Sequence, residues 1–344
     1  MPNIARAPRA TARLGPKETP LVARVFAELA DGRFHSGEAL ARSLGVSRSA
    51  VWKAAAALRA QGSALHAVPN RGYRLTHSSE PLDPTRIREH LAREVRERIT
   101  SIDAAWAIGS TNTVLLERAN PESGTAEVLL AEYQSAGRGR RGRAWLAPPG
   151  GAICLSMSWT FREVPQDLGA LGLVIGVCAL RALREHGVGG VRLKWPNDLL
   201  VDERKLGGVL IDLRAESGGA ACVVIGIGLN VALGATLLRQ IAASGTAATD
   251  LASVAQPVPA RNAVAATLVS AGVHGLIEFE HQGLKPFIED WRAADALRGR
   301  AVNVSSPDGV ARGVARGIDL RGALMLETPQ GIRRFISGDV TVRG

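Results

Sequence analysis

Seven consecutive residues, Gly137-Arg138-Gly139-Arg140-Arg141-Gly142-Arg143, hold four arginines and three glycines, and Trp145 follows. Arginine presents a fixed fork of donors that suits phosphate or carboxylate oxygens. Glycine lets the backbone come close to a ligand. The segment is expected to be mobile when empty and ordered by an anionic ligand. Trp145 would then cover an apolar or aromatic ligand face. No Gly-Lys-Ser/Thr follows, so this is not a Walker loop. A Gly-Arg linker or RNA-binding patch has the same composition, but this segment lies between two strand-like runs inside a folded region.

Three further clusters carry polar chemistry. Lys194-Trp195-Pro196-Asn197-Asp198 is followed by Lys205-Leu206-Gly207-Gly208 at the start of an apolar run. A lysine there can set a point charge on a phosphate, and Gly208 leaves room for a ligand; a plain hairpin turn is the competing reading. Gly226-Ile227-Gly228-Leu229-Asn230 follows a strand-like run. It lacks the third glycine, the opening helix and the later acidic residue of a dinucleotide fingerprint. Gly109-Ser110-Thr111-Asn112 reads as the polar cap of a following helix.

The elements that must position these residues alternate in type. Residues 128–133, 152–159, 191–194, 199–201, 209–213 and 222–227 read as strands. Residues 85–98 and 168–186 read as helices, and several helices fill 235–295. No strict βαβ repeat appears, so the class is α+β with a largely antiparallel or mixed sheet. Residues 298–344 hold short alternating runs at 301–304, 310–318, 323–327 and 331–336, which suggests a small β-barrel or sandwich.

Charge separates the front of the chain from the rest. Of the net +10 over 344 residues, residues 1–79 hold 12 basic and 4 acidic side chains; residues 80–344 hold 30 and 28. A small basic unit ahead of a nearly neutral one suggests a nucleic-acid partner. Residues 1–19 read as a disordered tail. From Pro20 a helix runs to Gly32, Ser36 caps a second that stops at Gly45, and Ser47 caps a third that Gly62 ends. Residues 65–75 form a hairpin around Pro69-Asn70-Arg71-Gly72. This is the winged helix-turn-helix plan. Ser47, Arg48, Ser49 and Lys53 lie where a recognition helix meets DNA, and Arg71 and Arg74 lie on the wing. A winged helix used for protein contacts is the alternative. Only Arg48, Trp52, Lys53 and Arg59 give the third helix much reach beside Ala54-Ala55-Ala56-Ala57. Residues 78–84 form a linker.

Composition excludes several classes. At 46% apolar and 22% charged residues, the chain is neither collagen-like nor wholly disordered. Cys154, Cys178 and Cys222 are far apart and apolar-flanked, which fits buried thiols in a reducing compartment rather than a metal site. No stretch reads as membrane-spanning and no secretory h-region follows the N-terminus, so a cytoplasmic location is expected.

In this order and spacing the clusters resemble one family, the biotin protein ligases. The match runs from Ser110-Thr111-Asn112 through Glu132-Tyr133-Gln134 into the arginine loop and Trp145. It continues with Lys-Trp-Pro-Asn-Asp, Lys-Leu-Gly-Gly and Gly-Ile-Gly-Leu-Asn. Phe34-His35-Ser36-Gly37-Glu38 and Arg316-Gly317-Ile318-Asp319 extend it over about residues 20–344, so the whole resembles the bifunctional form that is also a biotin operon repressor. The resemblance implies a winged helix at 20–79, a class II synthetase-like α+β catalytic domain with a mixed sheet at 80–297, and an SH3-like β-barrel at 298–344. It implies biotinyl-5′-AMP made from biotin and ATP with Mg2+, then biotin transfer to a lysine of biotin carboxyl-carrier protein. It implies Ser110, Thr111, Asn112, Gln134, Arg138, Gly139, Arg140, Lys205 and Gly208 around biotin. Arg138, Arg140, Arg141, Arg143, Trp145, Lys194, Asn197, Lys205 and Asn230 are implied around ATP and the adenylate. Lys205, Arg138 and Arg140 are implied as catalytic cations, and Asp198 as the group that orients the acceptor lysine. It further implies an adenylate-bound homodimer on operator DNA of biotin genes. A ligase without repression, a ligand sensor with an inactive ligase domain and the related lipoate ligases are the alternatives.

Overall fold

The computed structural model describes residues 19–215, 221–307 and 309–342. The expected tail at residues 1–19 lies almost wholly outside them.

The N-terminal unit is built from α1 (Leu21–Glu28), α2 (Gly37–Leu44) and α3 (Arg48–Ala60), then a two-stranded ribbon, β1 (Leu65–Val68) with β2 (Gly72–Leu75). The Ser36 and Ser47 hydroxyls accept from Ala39 N and Ala50 N, satisfying donors that a helix start leaves without partners. Gly45 closes α2 in the left-handed region, at φ 67°. Val51, Ala54, Ala55 and Leu58 of α3 pack inward on Val25, Phe26, Leu29 and Leu40. Helix α1 stops at Glu28, short of the expected end at Gly32. Its hydrogen bonds there tighten to i−3, with Ala30 N on Ala27 O and Gly32 N on Leu29 O, so Gly32 closes a turn rather than the helix.

The central unit opens with α4 (Pro84–His90) and α5 (Arg93–Arg98), where the sequence suggests one helix over 85–98. Leu91 and Ala92 are extended, and this break lets Leu91 turn into the core. Next come β3 (Ile99–Ile108), α6 (Thr111–Glu117), β4 (Ala126–Gln134), β5 (Ala152–Phe161), α7 (Leu171–Glu185), β6 (Arg192–Lys194), β7 (Asp198–Val201), β8 (Arg204–Ala215) and β9 (Ala221–Asn230). Their seven-stranded sheet has the order β3-β4-β5-β9-β8-β7-β6. Only β3 and β4 run parallel; every other neighbouring pair is antiparallel. The mixed sheet is as the sequence suggests. Strand β3 escapes a periodicity reading because Thr100, Ser101 and Asp103 interrupt its apolar positions.

Helices α8 (Ala235–Ala243), α9 (Leu251–Val254), α10 (Arg261–Gln282) and α11 (Ile288–Ala294) follow. By length and composition α10 is apolar enough to cross a membrane. Here it packs on α7, α4 and β5, with Val264, Leu268, Val273 and Phe279 buried.

The C-terminal unit is an antiparallel sheet of β10 (Ala301–Ser306), β11 (Gly309–Ile318), β12 (Leu324–Thr328), β13 (Gly331–Phe335) and β14 (Asp339–Val342), in the order β13-β12-β11-β10-β14. A ladder closing β13 onto β14 into the expected barrel is not present among the described residues. Val302, Val304, Leu324 and Leu326 belong to the same hydrophobic cluster as the central sheet and α7. Trp195 Nε1 donates to Gly322 O at 3.1 Å across that junction.

The N-terminal unit keeps its own core and touches the center through Phe26 on Trp106, with ring centroids 5.4 Å apart. Ser79 Oγ donates to Gly150 O at 2.9 Å. A buried ion pair anchors the linker. Glu132 accepts from Leu82 N at 2.6 Å and from Arg261 Nη2 at 2.9 Å, and Arg261 Nη1 donates to Glu80 O at 2.7 Å. Further hydrogen bonds offset the burial of these charges: Gly150 N donates to Glu132 Oε2 and Arg261 Nη2 to Ala152 O, while Arg261 Nε has no partner among the described residues.

Candidate active site

One cleft of about 850 Å³ opens at the ends of β4, β8 and β9 and beneath the arginine loop. Sixteen residues singled out in the sequence for biotin, ATP or the acceptor lysine line it: Ser110, Thr111, Asn112, Gln134, Arg138, Gly139, Arg140, Arg141, Arg143, Trp145, Lys194, Asn197, Asp198, Lys205, Gly208 and Asn230.

The floor is polar and nearly dry. Gln134 Oε1, at the end of β4, accepts from Thr111 N at 2.8 Å and lies 3.1 Å from the Thr111 hydroxyl. The cap of α6 therefore comes from Gln134, and the Ser110 side chain makes no capping bond, contrary to the sequence expectation. Ser156 Oγ on β5 lies 2.6 Å from Thr111 Oγ1 and 2.5 Å from Asn112 Oδ1. Asn112 Nδ2 donates to Asp212 Oδ2 at 2.9 Å. A Cβ at Gly226 would sit 2.4 Å from Asn112 Oδ1, so this approach requires glycine. Such a row of neutral donors and acceptors suits a small uncharged ring that carries both N–H and C=O groups.

The mouth is cationic. Lys205 and Gly208 lie within β8, not in a turn, and Lys205 Nζ is 2.6 Å from Asp198 Oδ1 on β7. The same Nζ lies 5.8 Å from the Trp145 ring centroid. The Trp145 indole lies flush on β9: a Cβ at Gly228 would sit 2.6 Å from it. Lys194 is held below the ordinary lysine range by burial, with Asp198 opposing and Lys205 adding to the shift. Asn197 and Asn230 place backbone rather than project freely. Asn197 Nδ2 donates to Val209 O at 2.7 Å; Asn230 Nδ2 donates to Lys205 O at 3.2 Å and Thr249 O at 2.9 Å.

The arginine loop folds back over the cleft. Gly139 N donates to Arg143 O and Trp145 N to Gly137 O, and Arg141 takes φ 55°. Arg138 Nη2 donates to Asp212 Oδ2 at 3.1 Å. The others reach the C-terminal sheet. Arg143 Nη2 is 2.9 Å from Asp339 Oδ1, Arg141 Nη1 3.2 Å from Asp339 Oδ2, and Arg140 Nη1 donates to Gly338 O at 3.2 Å. Burial holds the Arg140 guanidinium below its usual range, and Asp339 opposes that shift. Sequence patterns alone do not single out Asp212 and Asp339. Asp212 sits in an apolar strand run, and Asp339 begins β14, which no pattern announced.

Three stretches of the chain match family models: residues 24–74 an HTH domain, residues 106–230 the biotin/lipoate A/B protein ligase family, and residues 298–343 the biotin protein ligase C-terminal domain. The bifunctional ligase/repressor BirA of Salmonella typhimurium is 37% identical over 327 residues, covering 95% of this chain and 99% of that one. The chain belongs to the biotin protein ligase family. The bifunctional ligase/repressor BirA of Bacillus subtilis is 30% identical over 317 residues, 90% of this chain and 94% of that one. A biotin protein ligase mutant of Aquifex aeolicus solved with biotin has a TM-score of 0.60 at 28% identity, covering 71% of this chain and 97% of that one. The Aquifex enzyme solved with biotin and ATP has a TM-score of 0.57 at 26% identity, covering 72% and 99%.

The residues singled out in the sequence for DNA lie on α3 and on the wing. Arg48, Ser49, Trp52 and Lys53 are exposed on one face, and Trp52 is 62% exposed. Ser47 is spent on its cap. On the wing, Arg71 lies over the Phe34 ring at 4.2 Å and Arg74 at 4.8 Å, so both are partly committed to the fold.

Proposed function

We propose that this cleft makes biotinyl-5′-AMP from biotin and ATP and transfers biotin to a lysine of a biotin carboxyl-carrier protein. The observation that carries this reading is the junction in one cleft of a neutral, hydrogen-bonding floor with a mouth of Lys205 and four arginines. The bicyclic ureido head of biotin is a small uncharged ring with N–H and C=O groups. Its far end is a carboxylate, which would emerge where the cations are.

Ser110, Thr111, Asn112 and Gln134 hold the ureido ring, and Gly208 forms the wall beside it. In the first step a biotin carboxylate oxygen bonds to the α-phosphorus, the bond to the β-phosphate oxygen breaks, and pyrophosphate leaves. Lys205, Arg138 and Arg140 sit where negative charge builds on the phosphoryl oxygens, and removing one such fixed donor costs about 10²–10³ in rate. Arg141 and Arg143 close over the adenylate and Trp145 covers the adenine. Lys194, Asn197 and Asn230 shape the nucleotide side. In the second step the acceptor amine attacks the acyl carbon of the mixed anhydride, a C–N bond forms and AMP leaves. Asp198 orients that amine. Holding the reactants aligned replaces any covalent enzyme intermediate.

Magnesium enters with ATP. No group of three His, Cys, Asp or Glu side chains that could hold a metal ion occurs among the described residues. Asp198, Asp212 and Asp339 are each engaged by a cation. The ion is thus assigned to the phosphates, and no step is routed through it.

The winged helix supports a second activity. With adenylate bound, the protein forms a homodimer in the cytoplasm and presents two α3 helices to operator DNA of biotin genes. Biotin-dependent exchange of pyrophosphate into ATP tests the enzyme. A gel shift on DNA upstream of biotin genes, with and without biotin and ATP, tests the repressor. Exchange without any shift at low salt identifies a ligase that does not repress.

A further inference from the structure

One carboxylate oxygen joins the two halves of the cleft. Asp212 Oδ2, on β8, accepts from Asn112 Nδ2 of the floor at 2.9 Å and from Arg138 Nη2 of the arginine loop at 3.1 Å. Asn112 is 3% exposed and pinned on its other side, its Oδ1 being 2.5 Å from Ser156 Oγ. The Asp212 side chain is 26% exposed, at the edge of the dry floor. Asn112 Nδ2 has one other acceptor, Leu210 O at 3.5 Å, so Asp212 supplies the shorter of the two bonds that orient the amide. Arg138 is the first arginine of the loop and, among the described residues, the only one that bonds to the central sheet rather than to the C-terminal sheet.

We propose that Asp212 is a positioning residue for the adenylation step. It fixes the Asn112 amide toward the ring of biotin and tethers Arg138 above the carboxylate that reacts. The proposal rests on the biotinyl-adenylate reading of the cleft. Charge-assisted hydrogen bonds are about twice as strong as neutral ones, so the Arg138 tether depends on the charge of Asp212, while the Asn112 contact needs only an acceptor. The two roles therefore separate by substitution. Asp212→Ala removes both. Asp212→Asn keeps an acceptor of the same shape and loses the charge.

The test is steady-state, biotin-dependent pyrophosphate release by the full-length chain, with thermal melting alongside. Asp212→Ala is expected to raise KM for biotin about tenfold and lower kcat about tenfold, the scale of one hydrogen bond each. Asp212→Asn is expected to restore the biotin KM but not kcat. In an Arg138→Ala background, Asp212→Ala is expected to leave kcat unchanged. An active wild type with kcat and KM within twofold in both variants would overturn the role of Asp212 and leave the ligase reading intact. So would losses in both variants that follow the fall in melting temperature, with no split between KM and kcat. A wild type that releases no pyrophosphate with biotin would overturn the ligase reading itself, and this assignment with it.

Discussion

Lys205 Nζ lies 2.6 Å from Asp198 Oδ1 across the β7–β8 ladder, so the lysine assigned to the phosphate and the carboxylate assigned to the acceptor amine are one ion pair. The pair poises both groups at the same point of the cleft. Lys205→Ala is expected to slow adenylate formation by about 10²–10³, the cost of one preorganised charge-stabilising donor. Asp198→Asn is expected to slow single-turnover transfer from preformed adenylate to the carrier more than it slows adenylate formation. Quench-flow on the two half-reactions checks the order; equal losses in both would remove the separate role of Asp198.

Trp145 rests on the bare backbone of Gly228. Gly228→Ala places a methyl 2.6 Å from the indole, so the ring must move off β9. KM for ATP is expected to rise about tenfold, on the scale of one aromatic contact, with biotin affinity little changed. Titration with each substrate alone separates the two.

Asp339 holds Arg141 and Arg143 from the C-terminal sheet. These pairs are partly exposed, and such pairs contribute about 0–1 kcal/mol, so Asp339→Ala is expected to leave melting nearly unchanged. Trypsin cleavage within residues 138–143 of the free protein is expected to speed up severalfold, and biotin with ATP is expected to suppress it. Unchanged cleavage would show that the C-terminal sheet does not restrain the loop.

Burial pushes the Cys154 thiol up to about 11 and the Cys178 thiol up to about 12. The reactive thiolate of Cys154 forms only as pH rises through that value, so at pH 8 about one Cys154 in a thousand is ionised. The native protein is expected to resist iodoacetamide at these two residues at pH 8. Cys154 lines the cleft, so biotin is expected to slow its alkylation further at pH 10. Mass spectrometry of digested samples reads both.

On α3, Arg48 and Lys53 are exposed cations with no fold contact among the described hydrogen bonds and ion pairs. Replacing either by alanine is expected to weaken DNA binding across sequences and lower the slope of log affinity against log salt by about 1. Arg74→Ala is expected to lower melting of the N-terminal unit too, because Arg74 stacks on Phe34. Gel shifts over a salt series, with melting of the same variants, check both.

Much of the site was legible because its chemistry sits in short, local clusters: Ser110 to Asn112, Gly137 to Trp145, Lys194 to Asp198 and Lys205 to Gly208 each stay together when folded. Helix starts at Ser36 and Ser47 were equally local, since a cap needs only a side chain and the next turn. What escaped is long-range. Asp212 reads as one polar residue in a strand, and only the fold brings it to Arg138, 74 positions away. Asp339 meets Arg143 across 196 positions. Strand β3 hid because its pairing with β4, not its own alternation, defines it. Gln134, rather than Ser110, caps α6: its Oε1 accepts from Thr111 N, 23 positions away, a contact that no local pattern reveals.

Acceptor labelling decides whether the cleft transfers biotin to a carrier lysine. The protein is incubated with biotin, MgATP and a biotin carboxyl-carrier domain, and biotin on the carrier is read by streptavidin blot, with Lys205→Ala and a carrier lacking its acceptor lysine alongside. Labelling by the wild type, loss with the lysine-free carrier and a reduction of about 10²–10³ in rate with Lys205→Ala are expected. A folded wild type that leaves the carrier unlabelled would contradict this transfer.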